Sequence, residues 1–232
     1  MGTNSQRMGT NLQDSYAAAV ATSKPPLLLR VGFWACILIA VAVVVRRIVA
    51  LAHPTQGGPP QMAGLDAAFG SHAALTLAHI LPALAFVVLT PFVFSRRFRD
   101  ARWPEQFLFP LGAIVGLTAY AMSTYSIGGW VERSAVLFFN SLFLFSLVQA
   151  WINARRGDTG LKHRWLTRAI VILLGIATTR PVMGVFFATS TLTHLTPRQF
   201  FGIAFWIGFS INTITVEIWL RSRRRTRLAA DL

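Results

Sequence analysis

Six long apolar stretches dominate this chain, and they constrain its fold more than any other feature. A helix needs about 20 apolar residues to cross the hydrocarbon core of a bilayer. Stretches of that kind run over Leu27–Leu51, Ala73–Phe94, Phe107–Ser126, Ala135–Ile152, Trp165–Ala188 and Phe200–Leu220. None shows the period-two alternation of a strand, so they read as helices. Of the 232 residues, 54% are hydrophobic and only 13% charged. A soluble domain of this size could not cover itself with so little polar surface, and lipid as solvent removes that requirement. The expected fold is therefore all-α: a polytopic membrane protein, a bundle of about six transmembrane helices. Pro82, Pro91, Pro110 and Pro181 fall inside spans and mark expected kinks.

The formal charge of +14 matters through its distribution. Seventeen Lys and Arg residues fall on one side: Arg7, Lys24 and Arg30; the second-to-third loop; the fourth-to-fifth connection; and the segment after Leu220. The other side holds Arg133 and Arg198, while Arg46, Arg47 and Arg180 lie within spans. Placing the basic side in the cytoplasm puts both termini inside, in a bacterial-type cytoplasmic (inner) membrane. Residues 1–26 read as a disordered polar cytoplasmic tail, 27–220 as the transmembrane domain and 221–232 as a basic cytoplasmic tail. Met1-Gly-Thr-Asn recurs at Met8, which leaves two candidate starts. Gln6 stands where a myristoylation signal wants Ser or Thr.

Ionisable side chains inside spans are costly and are candidates for function. At about 1.5 Å of rise per residue, His79, Arg180, Arg46 and Arg47 share a depth in the outer leaflet with Tyr120 and Asn140. No Asp or Glu is expected in that layer, because Glu217 is the only acidic residue assigned to a span. A cationic, hydrogen-bonding layer suits an anion or an electron-rich ligand, and arginine makes bidentate contacts to oxyanions. His79 and Arg180 are expected to face one interior cavity. Each residue also has a structural reading. Arg46 and Arg47 snorkel to headgroups, Arg180 caps carbonyls freed by Pro181, and His79 bonds across helices. His53, His72 and His194 are assigned to the outer surface and His163 to the inner one. Trp103, Trp130 and Trp165 sit at expected interfaces, as an aromatic belt requires.

On the cytoplasmic face, the run from Arg155 through His163 and Arg164 to Arg168 reads as topogenic charge around a glycine turn. Glu217 is expected to pair with Arg221 on its own helix, or with Arg164 or Arg168 on the neighbour. Gly112 and Gly116 form a GxxxG pair suited to close helix approach, including a homodimer. The arginines from Arg221 to Arg227 directly follow a span, so anionic membrane lipid rather than nucleic acid is the expected partner. Cys36 stands alone, which excludes a disulfide framework.

These residues carry a resemblance. From about His72 to Leu220 the chain resembles a family of predicted membrane proteins, domain of unknown function family 2306. The likeness rests on His79, Thr90-Pro91-Phe92 and Arg96; on Arg155-x-Gly157-Asp158, His163-Arg164-Trp165, Arg168 and Arg180; and on Asn212 to Glu217. Members typically open the third helix with a His-Arg pair, where this chain has Trp103-Pro104-Glu105-Gln106. The resemblance implies the architecture and no reaction.

Three functions remain open: a carrier or binder of a small or lipidic anion, a subunit of a membrane complex, and a haem b or quinone-linked redox protein. Two haems would need four well-placed histidines, and only His79 lies deep in a span. His72 and His79 share a helix face and cannot sandwich one haem. No inverted repeat or helix break of the transporter kind is evident. No catalytic residues and no metal-ligand spacing emerge: the chain lacks a nucleophile elbow, HExxH, a Walker loop and a carboxylate pair. Fluorescent-protein and alkaline-phosphatase fusions after Leu232 test the orientation. Only the fluorescent fusion should be active; an active phosphatase would invert the topology.

Overall fold

The computed structural model describes residues 26–53, 67, 69–95 and 103–230. The polar N-terminal segment with its Met1 and Met8 repeat, and the arginines of the second-to-third loop, lie outside the described residues. Among the described residues the helices run in chain order α1 (Leu27–Ala52), α2 (Ala73–Phe94), α3 (Trp103–Ser123), α4 (Gly129–Arg155), α5 (Thr159–Leu173), α6 (Gly175–Ala188), α7 (Ser190–Thr193) and α8 (Pro197–Ala230). No strand occurs among the described residues. Among the described residues six spans are long and apolar enough to cross a membrane, the fifth being α5 and α6 taken together. The chain is a six-span, all-α membrane protein.

Local sequence explains where helices stop and start. Between α4 and α5, Gly157 takes a φ of 77°, the left-handed region that glycine enters without a Cβ clash. The Gly157 amide donates to the Ala154 carbonyl (3.3 Å) and the Asp158 amide to the Asn153 carbonyl (3.1 Å), the paired bonds of a Schellman cap. Asp158 then caps α5 by accepting from the Leu161 amide at 2.8 Å. At the start of α8, Gln199 reaches back to form half of a capping box, its Oε1 accepting from the Thr196 amide at 2.9 Å and the Thr196 hydroxyl at 3.0 Å. Pro197 occupies the first helical position, where its missing N–H costs nothing. The helix then continues past Leu220 through Ala230, so the basic segment prolongs α8.

The helices close a ring. α1 packs on α2, α2 on α3, α3 on α4, α4 on α5 and α8, α8 on α5 and α6, and α6 back on α1. Lipid tails are as apolar as the helices, so close packing and internal hydrogen bonds must hold the ring together. Glycines permit the closest approaches. A Cβ at Gly112 would stand 2.7 Å from Leu147 Cδ2, and Gly116 lies directly against Leu144. The GxxxG pair thus packs against α4 within one chain. Gly208 similarly meets the Thr179 backbone, where a Cβ would lie 2.7 Å from its nitrogen.

The fifth span is interrupted, contrary to the expectation of unbroken helices. The break falls at Leu174, seven residues before Pro181, so the proline ring is not its cause. The Ala177 amide bonds to Leu174 rather than to the carbonyl four residues back, tightening one turn. Asn212 of α8 supports the break: its Nδ2 donates to the Val171 carbonyl at 2.9 Å. Thr178 Oγ1 donates to Asn212 Oδ1 at 2.7 Å, so in the 3.6 Å contact with Cys36 the thiol is the donor. One buried amide therefore ties α8 to both halves of the broken span.

At the arginine-rich end, α5 is held on two sides. Arg168 donates through Nε (2.5 Å) and Nη2 (3.3 Å) to the Glu217 carboxylate of α8. Arg168 also lies over the Trp165 ring at 4.5 Å. Lys162 meets Glu105 of α3 at 2.7 Å, an ion pair between helices. His163 bonds the Thr159 carbonyl of its own helix at 2.8 Å. Arg164 and Arg221 add weaker attraction to Glu217.

Replacing Asn212 by Leu leaves the Val171 carbonyl without this donor and the Thr178 hydroxyl with only the Cys36 thiol. The expected cost is about 1–3 kcal/mol, read as a lowered unfolding midpoint in mild detergent. An unchanged midpoint would show that the amide does not hold the break.

Candidate functional site

A cavity of about 250 Å³ lies inside the ring, lined from α1, α2, α3, α4, α6 and α8 and the end of α5. Along α2 its wall runs from His72 to Val87, about 22 Å at the helical rise. Polar groups gather toward one end. His72 and His79 come from α2, Arg47 from α1, Glu132 and Asn140 from α4, and Arg180 from α6. The other end is apolar, with Ala83, Val87, Phe143 and Ile172. The charged groups thus lie at the end of the bundle opposite the arginine-rich loops.

Arg180 is the unusual member. Its Nε is buried without a hydrogen-bond partner among the described residues. One Nη reaches only the Met183 thioether, at 3.9 Å, a weak acceptor. Arg180 does not cap carbonyls freed by Pro181, the structural role weighed for it above. Arg47 and Arg46 repel it through space, while Glu132 attracts it. A guanidinium normally places its five N–H donors on strong acceptors, and the described residues supply no such set.

Glu132 corrects the expectation of a layer without carboxylates. Helix α4 begins at Gly129 rather than Ala135, which draws Glu132 into its first turn. There it is buried at 8% exposure and accepts from the Gly128 amide at 2.6 Å. An acidic residue just after Gly128-Gly129 is a helix-start signal legible in the sequence. Its carboxylate is turned to the helix start, so it moderates the field on Arg180 without pairing with it.

His79 sits in a defined orientation. Its Nδ1 lies 2.9 Å from Thr118 Oγ1, and Thr118 donates its single hydroxyl proton to the Ile114 carbonyl at 2.7 Å. The hydroxyl must therefore accept from Nδ1, which carries the proton. Nε2 keeps its lone pair and has no partner among the described residues. Thr118 is a positioning residue that the sequence reading missed, because a threonine within an apolar helix usually bonds its own backbone.

The other candidates divide. Arg47 reaches the cavity and lies 4.0 Å from the centre of the Phe69 ring. Asn140 is on the wall, but its Nδ2 donates to the Gly116 carbonyl at 2.9 Å. Tyr120 is not on the wall; it pairs with Ser141 at 2.8 Å on an exposed face. Arg46 is exposed and also off the wall. His72, expected at the surface, lines the cavity and stacks on Tyr125 at 3.7 Å. His53 and His194 are exposed at helix ends. No group of three or more His, Cys, Asp or Glu could hold a metal among the described residues.

A family model described as "predicted membrane protein (DUF2306)" matches residues 76–220. That is more than half of the chain, which belongs to this family. No curated protein and no solved structure matches it.

The proton on His79 can be checked by ¹⁵N NMR of histidine-labelled protein. The Nδ1 resonance should be that of a protonated nitrogen, and Thr118→Val should remove this bias. A wild-type spectrum with an unprotonated Nδ1 would refute the assignment.

Proposed function

We propose that this member of the predicted-membrane-protein family binds a small or lipidic anion in its interior cavity, and holds or carries it within a bacterial-type cytoplasmic membrane. The observation that supports this most is Arg180: a buried cation to which the described residues offer no acceptor at Nε and only a thioether at one Nη. A charge taken out of water is expensive unless it is paired. A ligand bearing an oxyanion supplies the missing acceptors, and Arg47 adds a second positive charge to the same wall. With the arginine-rich end in the cytoplasm, as the positive-inside rule requires, the polar end of the cavity faces the outer leaflet.

The broken fifth span favours binding with movement over binding alone. Discontinuous helices meet substrates near the midplane in secondary transporters, and both Ile172 and Ile176, on either side of the break, line the cavity. The haem reading finds one favourable group, Nε2 of His79, and no histidine facing it. Asn140, Arg180, Phe205 and Phe209 stand on the other helices of the wall, and His72 shares the helix of His79. The residues do not fit a bis-histidine haem.

Arg180→Met should raise the unfolding midpoint of the ligand-free protein by removing an unpaired buried charge. It should also abolish stabilisation by added organic anions, which for the wild type is about 2.7 kcal/mol at 100 times Kd. Thermal melts of both proteins with sodium acetate, sulfate and decanoate measure this. Equal midpoint shifts in both proteins, or none in the wild type, would contradict the reading.

A further inference from the structure

We propose that the ligand is a single-chain amphiphile with one carboxylate, its head at Arg180 and its tail along the apolar length of the cavity. This rests on the anion-binding reading above and specifies its ligand. Three features of the wall point to it.

The first is polarity along the long axis. On α2, His72, Thr76 and His79 line the first two turns of the wall, and Ile80, Ala83, Leu84 and Val87 line the rest. On α4, Glu132 comes first and Phe143 is the last contributor, with Asn140 between them. A small hydrophilic anion would use only one end of a cleft about 22 Å long. The apolar remainder is matched by a hydrocarbon chain, whose burial contributes about 0.8 kcal/mol per methylene when it comes from water.

The second is volume. About 250 Å³ falls just below the usual range of small-molecule pockets, about 300–1,000 Å³. Spread over that length it makes a narrow slot, which takes one chain and excludes a two-chain phospholipid.

The third is charge and donor count. Arg180 sets the head group: one guanidinium, with the Glu132 carboxylate on the same wall turned to the Gly128 amide, matches one singly charged carboxylate. Arg180 lines the cavity and its Nε has no acceptor among the described residues, so a carboxylate that drew the guanidinium toward it would accept from a parallel N–H pair. His79 Nε2, an acceptor, would repel a second anionic oxygen nearby, so the head must be a compact one held toward Arg180.

The test is scintillation-proximity binding of tritiated myristate to the full chain purified in dodecyl maltoside. Unlabelled myristate, octanoate, acetate, myristyl alcohol and dodecyl phosphate serve as competitors. Myristate should bind and displace, with acetate, the alcohol and the phosphate each weaker by about tenfold or more, a difference of about 1.4 kcal/mol. Arg180→Gln should lose the binding. Ala83→Phe, which leaves every charged residue in place and fills the apolar end, should weaken myristate at least about tenfold while sparing octanoate. Acetate competing as well as myristate, or Ala83→Phe binding myristate normally, would overturn the amphiphile while leaving the anion site standing. Equal displacement by dodecyl phosphate would overturn the carboxylate assignment alone. If no anion binds the wild type, or Arg180→Gln binds as the wild type does, the anion site itself fails.

Discussion

Inside a bilayer every backbone N–H and C=O must find its partner within the protein, and the rest of this structure follows from that requirement. It makes each span a helix and allows an interruption only where a side chain takes over. The interruption at Leu174 meets that condition through Asn212, which occupies the Val171 carbonyl and accepts from Thr178. The same residue joins α8 to the two halves of the fifth span, so the weak point of one helix becomes a junction between two. Because lipid offers no hydrophobic drive for helix association, the remaining contacts depend on glycines that let neighbours approach, as at Gly112, Gly116 and Gly208.

The two ends of the bundle treat charge differently. At the arginine-rich end, cations are matched: Arg168 with Glu217 and Lys162 with Glu105, fastening α5 to α8 and to α3. At the opposite end Arg180 meets no such partner, although Glu132 stands on the same wall. Glu132 is committed to the Gly128 amide at the start of α4. Arg133 Nε is likewise buried without a partner among the described residues, but Arg133 stands off the cavity wall, so Arg180 is the open guanidinium that the proposed ligand would meet. The amphipathic wall below Arg180 gives that arrangement a direction, from a charged head site to an apolar floor.

Much of this was legible in the residues alone. Length and apolarity located six spans, because the thickness of the bilayer sets a hard requirement that tertiary packing does not override. Depth counting brought His79, Arg180 and Arg47 to one level, and they share a wall. It failed for Tyr120 and Arg46, because depth along a helix does not tell which face a side chain occupies. Glu132 was missed through a boundary: starting α4 at Ala135 left it in a loop, although Gly128-Gly129 followed by an acidic residue is a helix-start pattern. The break at Leu174 carries no sequence signal of its own. Pro181 drew attention to the wrong turn, and the supporting Asn212 lies 38 residues beyond Leu174. Gly116 could be read as a packing residue, but only the fold shows that its neighbour is Leu144 of the same chain.

The central claim is that Arg180 completes its contacts with an acidic ligand held inside the bundle. Native mass spectrometry of the protein released gently from membranes tests this most directly. The account predicts a fraction carrying one adduct with the mass of a single-chain acid, absent from Arg180→Gln prepared in the same way. A wild-type spectrum showing only the bare chain, or one whose adducts persist unchanged in Arg180→Gln, would contradict it.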